Sequence, residues 1–147
     1  MLCWSPLAGG MLTGKYRSQE EPAADSRVGL RSEIDLPRYW KDESFRIIDE
    51  VLAVAEATGK TPAQVALAWL LHDRRVIAVI VGIRTLSQLE DSLEAGDWDL
   101  PDDLHQNLTE VVPFDYGYPR EWIELSWENI SGMEDFKPWE VSIDPLC

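Results

Sequence analysis

The most constraining feature of this sequence is Val76-Ile77-Ala78-Val79-Ile80-Val81, an unbroken apolar run dominated by β-branched residues. A strand with one wet face alternates apolar and polar residues, so a continuous run predicts a strand covered on both faces in a parallel sheet. Gly82 ends it. Residues 1 to 4 are short and apolar and run into Ser5-Pro6, which reads as a second strand ending in a turn.

Between these strands the pattern is helical. Ile48, Val51, Leu52 and Ala55 recur at three- and four-residue spacing from Ser44 onward, and Gly59 stands where a left-handed cap closes a helix. Thr61-Pro62-Ala63-Gln64 supplies a capping hydroxyl, a first-turn proline and a glutamine able to reach back to the cap. Val65 to Leu71 is then apolar nearly all round, which predicts a deeply buried helix. After the second strand, Thr85-Leu86-Ser87-Gln88 repeats the capping-box spacing and opens a helix with Leu86, Leu89 and Leu93 on one face, stopping near Gly96. Pro101 begins a further helix with Leu104, Leu108 and Val111 inward. The stretch from Gly9 to about Asp42 has no clear period and reads as a long loop, the best candidate for a moving segment. Beyond Pro113 the chain turns aromatic, with Tyr116, Tyr118, Trp122, Trp127, Phe136 and Trp139, and an irregular but packed tail over 113–147 is expected.

Two strands, each followed by a loop and a helix, imply parallel pairing with a right-handed crossover. An eight-stranded α/β barrel takes ~250 residues, so a chain of 147 can supply only a part of one. Charge excludes other classes. A formal charge of −14 repels a phosphate backbone, so nucleic acid is not an expected partner. No apolar run reaches membrane-spanning length, and the start does not read as a signal peptide. Cys3 and Cys147 lie at opposite ends, giving neither a disulfide framework nor metal-ligand spacing, and no metal site is expected. A soluble protein of the reducing cytoplasm fits these features.

Two segments carry chemistry. Gly9-Gly10-Met11-Leu12-Thr13-Gly14-Lys15-Tyr16 has the spacing of a nucleotide-triphosphate phosphate loop, but Tyr16 replaces the magnesium-binding Ser or Thr. The charged and proline-containing sequence that follows is also a poor helix start, so a P-loop nucleotide binder is the weaker alternative. Read from Trp4 as Trp-Ser-Pro-Leu-Ala-Gly-Gly-Met-Leu-Thr-Gly-Lys-Tyr, the same segment resembles the seventh-strand motif of the aldo-keto reductases. The resemblance is closest to the branch with bacterial reductases and potassium-channel β subunits. The stretch Val79 to Leu93, which includes Gly82-Ile83-Arg84-Thr85-Leu86-Ser87-Gln88, resembles the eighth strand and following helix of that family. With the Thr61–Trp69 helix, the resemblance covers roughly residues 1 to 112.

The resemblance implies the C-terminal part of a (β/α)8 TIM barrel, strands seven and eight with their helices, over 1–112, and a tail packed on that barrel over 113–147. It implies NADP (NADPH) as cofactor, held by Trp4, Ser5, Pro6, Leu7, Gly9, Gly10, Lys15, Gly82, Arg84, Gln88, Asp91 and Ser92. Trp4 would lie against the nicotinamide ring, with Ser5, Leu7 and nearby backbone on the diphosphate. Glycines at 9, 10 and 14 would let backbone N–H groups approach that diphosphate, and Lys15 adds a compact positive charge. Arg84 presents a planar fork suited to a 2′-phosphate beside a helix N-terminus, which favours NADP over NAD.

Each assignment has a plainer rival. Trp4 also fits as a barrel-interior aromatic, Arg84 as a surface cation and Gln88 as the capping-box partner of Thr85. Asp91 matches an acidic adenine-binding position, whereas Ser92 replaces the family's usual Asn, which implies a weaker grip on adenine.

The family reduces carbonyls with a Tyr proton donor supported by Lys, Asp and His on earlier strands, and nothing in this sequence matches those motifs. No catalytic residue is therefore assigned. Tyr16, Tyr39, Tyr116 and Tyr118 lack the context, His72 and His105 read as capping or surface residues, and the paired carboxylates Glu20-Glu21, Asp102-Asp103 and Glu134-Asp135 read as solvated or helix-start charges. The expectation is a part of an oxidoreductase that in complete form reduces aldehydes or ketones with NADPH and is inactive alone. The alternative is a non-enzymatic interaction module that self-associates or pairs with an N-terminal partner chain.

Overall fold

The computed structural model describes residues 1–18, 20–113 and 117–132, the side chains of 128–130 excepted. The chain divides into two compact units, Met1–Val112 and Pro113–Cys147.

The first unit is helix-rich around a small parallel sheet. Strand β1 (Leu2–Trp4) pairs with β2 (Ala78–Ile80) in register Leu2↔Ala78, Cys3↔Val79, Trp4↔Ile80. The predicted strand over 76–81 is thus present but short. Its expected two-sided cover is not found: Ile77 is 80% exposed and Ile80 is also exposed. A two-stranded ladder offers neither the strands nor the flanking helices that would cover both faces.

Most of the core lies on the helices between the strands. Helix α3 (Asp42–Thr58) buries Phe45, Ile48, Val51, Val54 and Ala55, and ends at Gly59 in the left-handed conformation, φ 68°. Helix α4 (Pro62–His72) opens on the full capping box, with Thr61 Oγ1 accepting from Gln64 N and Gln64 Oε1 accepting from Thr61 N. Its residues 63 to 68 are buried without interruption, as the apolar sequence predicts. Leu108 from α6 (Asp102–Glu110) and Leu100 from the segment before it join Val51, Val54, Ala55, Val65 and Ala68 in one cluster.

The expected long loop over 9–42 is the main correction in this unit. It contains a 3-10 segment (Ala8–Thr13) and two helices, α1 (Arg27–Leu30) and α2 (Ser32–Tyr39). Ser26 caps α1 by accepting from Gly29 N at 3.1 Å, and Val28 sinks completely into a second cluster with Met11, Tyr16, Phe45 and Ile48. Those helices escape a periodicity search because one spans only four residues and the other is short and carries Pro37 inside it.

Helix α5 (Leu86–Glu94), followed by a 3-10 turn (Ala95–Asp97), differs from expectation in its burial. Leu86 is 70% and Leu93 64% exposed, and the helix has no fully buried residue. The second unit holds α7 (Arg120–Ser131), an ordered helix in a stretch expected to be irregular. Tyr118 and Trp122 are exposed there, while Tyr116, Phe136 and Trp139 lie outside the described residues.

At the C-terminal end of α4, the His72 and His105 rings stack at 4.1 Å, with Trp69 next in the column at 5.7 Å from His105. The two imidazoles thus meet at a helix–helix contact, His72 remaining exposed at the surface and His105 partly covered. Burial first, and the neighbouring His72 second, hold His105 below its ordinary value of 6.5, against the opposing charges of Asp102 and Asp73. The unfolded state then binds the extra proton more readily, so stability is full above pH 6.5 and declines as pH falls through that value. Urea midpoints measured between pH 8 and 5 should show this decline, and His105→Gln should flatten it.

Candidate cofactor-binding site

The chain between β1 and α1 is bent by its own backbone. Ser5 and Ala8 take positive φ of 56° and 47°, unusual for residues with a Cβ, and Gly9 and Gly10 follow at 69° and 96°. Such non-glycine outliers cost of order 1–3 kcal/mol each and cluster at ligand sites. The bend carries residues 5–10 over the C-terminal end of β1. The loop after β2 leaves the same end of the sheet, because the two strands are parallel.

Both loops open on one cavity of about 620 Å³, a volume ordinary for small-molecule sites. From the first loop come Trp4, Ser5, Pro6, Leu7, Gly9, Gly10 and Lys15. From the second loop and α5 come Gly82, Arg84, Gln88, Asp91 and Ser92. The structure thus brings together the twelve residues named as holding the cofactor, while Gly14, the third glycine of that turn, is not among them.

Several local roles differ from expectation. Gly10 N–H donates to Leu7 O at 2.8 Å, so this donor is engaged in the turn rather than directed at an anion. Gly10 instead keeps the wall thin: a Cβ there would meet Lys15 Nζ at 3.2 Å. Gly14 does not line the cavity; its Cβ would lie 2.8 Å from Leu52 Cδ2, which makes it a packing glycine. Gln88 Oε1 accepts from Arg84 N at 2.9 Å, one residue earlier than the Thr85 bond expected of a capping box. Thr85 does cap α5, accepting from Gln88 N at 3.3 Å. Trp4 is largely exposed at the cavity mouth, not filling an interior.

The charge of the cavity is mixed but accessible. Among the described residues neither Lys15 nor Arg84 has a carboxylate partner; Lys15 Nζ lies 5.0 Å from the centre of the Tyr16 ring. Tyr16 itself is buried, and its hydroxyl accepts from Val28 N, a structural position outside the cavity.

Sequence reasoning missed Asp25, Ser26 and Arg27, which close the cavity from the side of α1. Among the described residues Arg27 Nε is buried without a hydrogen-bond partner, as is Asp35 Oδ2, which has Arg31 Nε at 4.0 Å. Both lie just behind Gly9, within 3.8 Å of where its Cβ would stand. An Arg two residues before a glycine in an aperiodic segment gives no signal of this placement. Ala63, the start of α4, also reaches the wall, which its position in a capping box does not announce.

A strand-end cavity with a glycine-bearing turn on one side and a capped helix on the other defines a class: α/β proteins that hold a ligand beyond the carboxyl ends of parallel strands. The model of the Aldo/keto reductase family matches residues 1–113, and the chain belongs to that family. It is 38% identical over 95 residues to a probable voltage-gated potassium channel subunit beta of Arabidopsis thaliana, covering 64% of this chain and 29% of that protein. An L-glyceraldehyde 3-phosphate reductase of Escherichia coli O157:H7 is 34% identical, with 64% and 28% covered. An aldo-keto reductase of Schizosaccharomyces pombe whose name specifies NADP(+) is 32% identical over 99 residues, with 65% and 27% covered. The chain spans less than a third of the length of these relatives. No helix among the described residues is long and apolar enough to cross a membrane.

Proposed function

We propose that this chain forms the NADP(H)-holding part of an aldo-keto reductase. The observation that carries the reading is that the Trp4–Lys15 and Gly82–Ser92 segments, far apart in the chain, line one cavity. The residues present fit a phosphorylated dinucleotide. Among the described residues Arg27 Nε has no hydrogen-bond partner and Lys15 no carboxylate partner, and the thin wall at Gly9 and Gly10 admits a bulky anion close to the backbone. Arg84 at the α5 N-terminus suits the 2′-phosphate, with Gln88 and Asp91 at the adenine end. Ser92 engages Gln88 O at 2.7 Å, so its hydroxyl proton serves the helix. Ser5, Pro6 and Leu7 would bracket the diphosphate, with Trp4 beside the nicotinamide, whose chemistry when bound is hydride donation to a carbonyl carbon.

In this reading β1 and β2 are strands seven and eight of a (β/α)8 barrel, and 1–112 is its C-terminal portion. The remaining strands would supply the Tyr, Lys, Asp and His of carbonyl reduction, and this chain alone is inactive toward aldehydes and ketones. The test is calorimetric titration of the 147-residue chain. Saturable NADPH binding tighter than NADH binding is expected; no heat with either nucleotide overturns the reading.

A second reading is favoured by one observation. Leu2, Trp4, Ile77 and Ile80 leave apolar surface exposed on a two-stranded sheet, the kind of edge that recruits a further strand. An interaction module completing its sheet with a second copy or with an N-terminal partner chain follows. Sedimentation should then show a dimer or larger species, and a strict monomer that binds NADPH removes the self-association form of this alternative.

A further inference from the structure

The helix that carries the adenosine end of the cavity is not anchored by a core. Helix α5 has no buried residue, and its leucines at 86 and 93 are mostly exposed. What reaches it is the capping box of α4. Thr61 Oγ1 donates to Asp91 Oδ1 at 2.8 Å while accepting from Gln64 N at 3.1 Å. Gln64, only 4% exposed, accepts from Thr61 N at 3.0 Å through Oε1 and donates through Nε2 to Glu94 Oε2 at 2.8 Å. Each side chain of the box therefore serves two partners: one backbone N–H of its own helix and one carboxylate of α5.

We infer that Thr61 and Gln64 are positioning residues for the cofactor site, setting α5, and with it Arg84, Gln88 and Asp91, at the distance from β1 that a dinucleotide spans. A hydroxyl has a single proton, and here that proton fixes one oxygen of Asp91 while leaving the carboxylate further lone pairs to receive a ligand amine. The geometry does two jobs with one motif. Helix capping requires only an acceptor at position 61, and an acceptor with a returning side chain at position 64. Holding α5 requires the two donors, which capping does not use.

That difference separates the roles experimentally. Thr61→Asp keeps an acceptor that caps α4 but removes the donor and faces Asp91 with a like charge. Thr61→Ser keeps both functions. Gln64→Glu retains the capping box and loses the donor to Glu94, providing a second variant. Thr61 is exposed, so its substitution does not burden the core. The inference rests on the NADP reading, and the experiment has one arm that does not.

In the ligand-free arm, amide hydrogen exchange across 86–94 should quicken at least several-fold in Thr61→Asp and Gln64→Glu, remain unchanged in Thr61→Ser, and stay unchanged across α3 in all three. In the ligand arm, adenosine 2′,5′-bisphosphate should bind Thr61→Asp roughly tenfold more weakly than the unsubstituted chain, with Thr61→Ser restored to within about twofold. Unchanged exchange across 86–94 in both donor-less variants overturns the positioning role, whatever the ligand arm gives. Faster exchange with undiminished bisphosphate affinity overturns its link to the cofactor site. Failure of the unsubstituted chain to bind either the bisphosphate or NADPH overturns the NADP reading, and with it that link, while the exchange arm still decides whether the box holds α5.

Discussion

Charge reversal at Arg84 is expected to weaken NADPH binding about a hundredfold and to leave NADH binding within about twofold. The two nucleotides differ only in the 2′-phosphate, so the comparison isolates the group that Arg84 is proposed to meet. Arg84 lines the cavity next to the capped end of α5, and its side chain has no carboxylate partner among the described residues. A charge-assisted, two-pronged bond to phosphate is worth roughly twice a neutral hydrogen bond, and Arg84→Glu adds repulsion to its loss. Calorimetry at moderate salt measures both affinities. Equal losses for NADPH and NADH would place the guanidinium on the diphosphate instead, and no loss for either would remove Arg84 from the site.

The second large effect is on stability. Leu67→Ala should lower the unfolding free energy of the first unit by about 2–5 kcal/mol, the usual cost of emptying a leucine-sized space in a packed core. Leu67 is 1% exposed within the uninterrupted buried stretch of α4. Whole domains are stable by only about 5–15 kcal/mol, so the variant should unfold at a far lower urea concentration. Leu86→Ala is the control: that side chain is mostly in solvent, and its loss should change stability by about 0.5 kcal/mol or less. A Leu67 variant as stable as the control would contradict the assignment of α4 as the centre of the core.

What the sequence revealed follows the range of the interactions. Gly59 as a left-handed cap and Thr61 with Gln64 as a capping box are local signals, readable within four residues, and the structure has both. Twelve of the cavity residues were legible because two short motifs that resemble family segments each sit directly after a strand, and parallel strands place such loops at one end. The same motifs could not show that Gly10 turns its N–H inward to Leu7, since that depends on the positive φ of Ser5 and Ala8. Nor could they show Arg27 at the cavity, because α1 holds only one helical turn and its placement comes from Val28 packing on Met11 and Tyr16. The exposed leucines of α5 mark the opposite error. Their spacing correctly predicts one face, but spacing does not state whether that face has anything to pack against.

The pairing of β1 with β2 joins residues near the start of the chain to residues beyond its midpoint, and it does so with very few ladder bonds. Closing so large a loop is entropically costly relative to forming α3 against α4, which are neighbours in sequence. The strands should therefore zip up after the helical pair and separate before it melts. Any molecule that grips both rims of the crevice acts as a staple across this weakest seam, so its affinity and the seam's resistance to opening are one linked quantity.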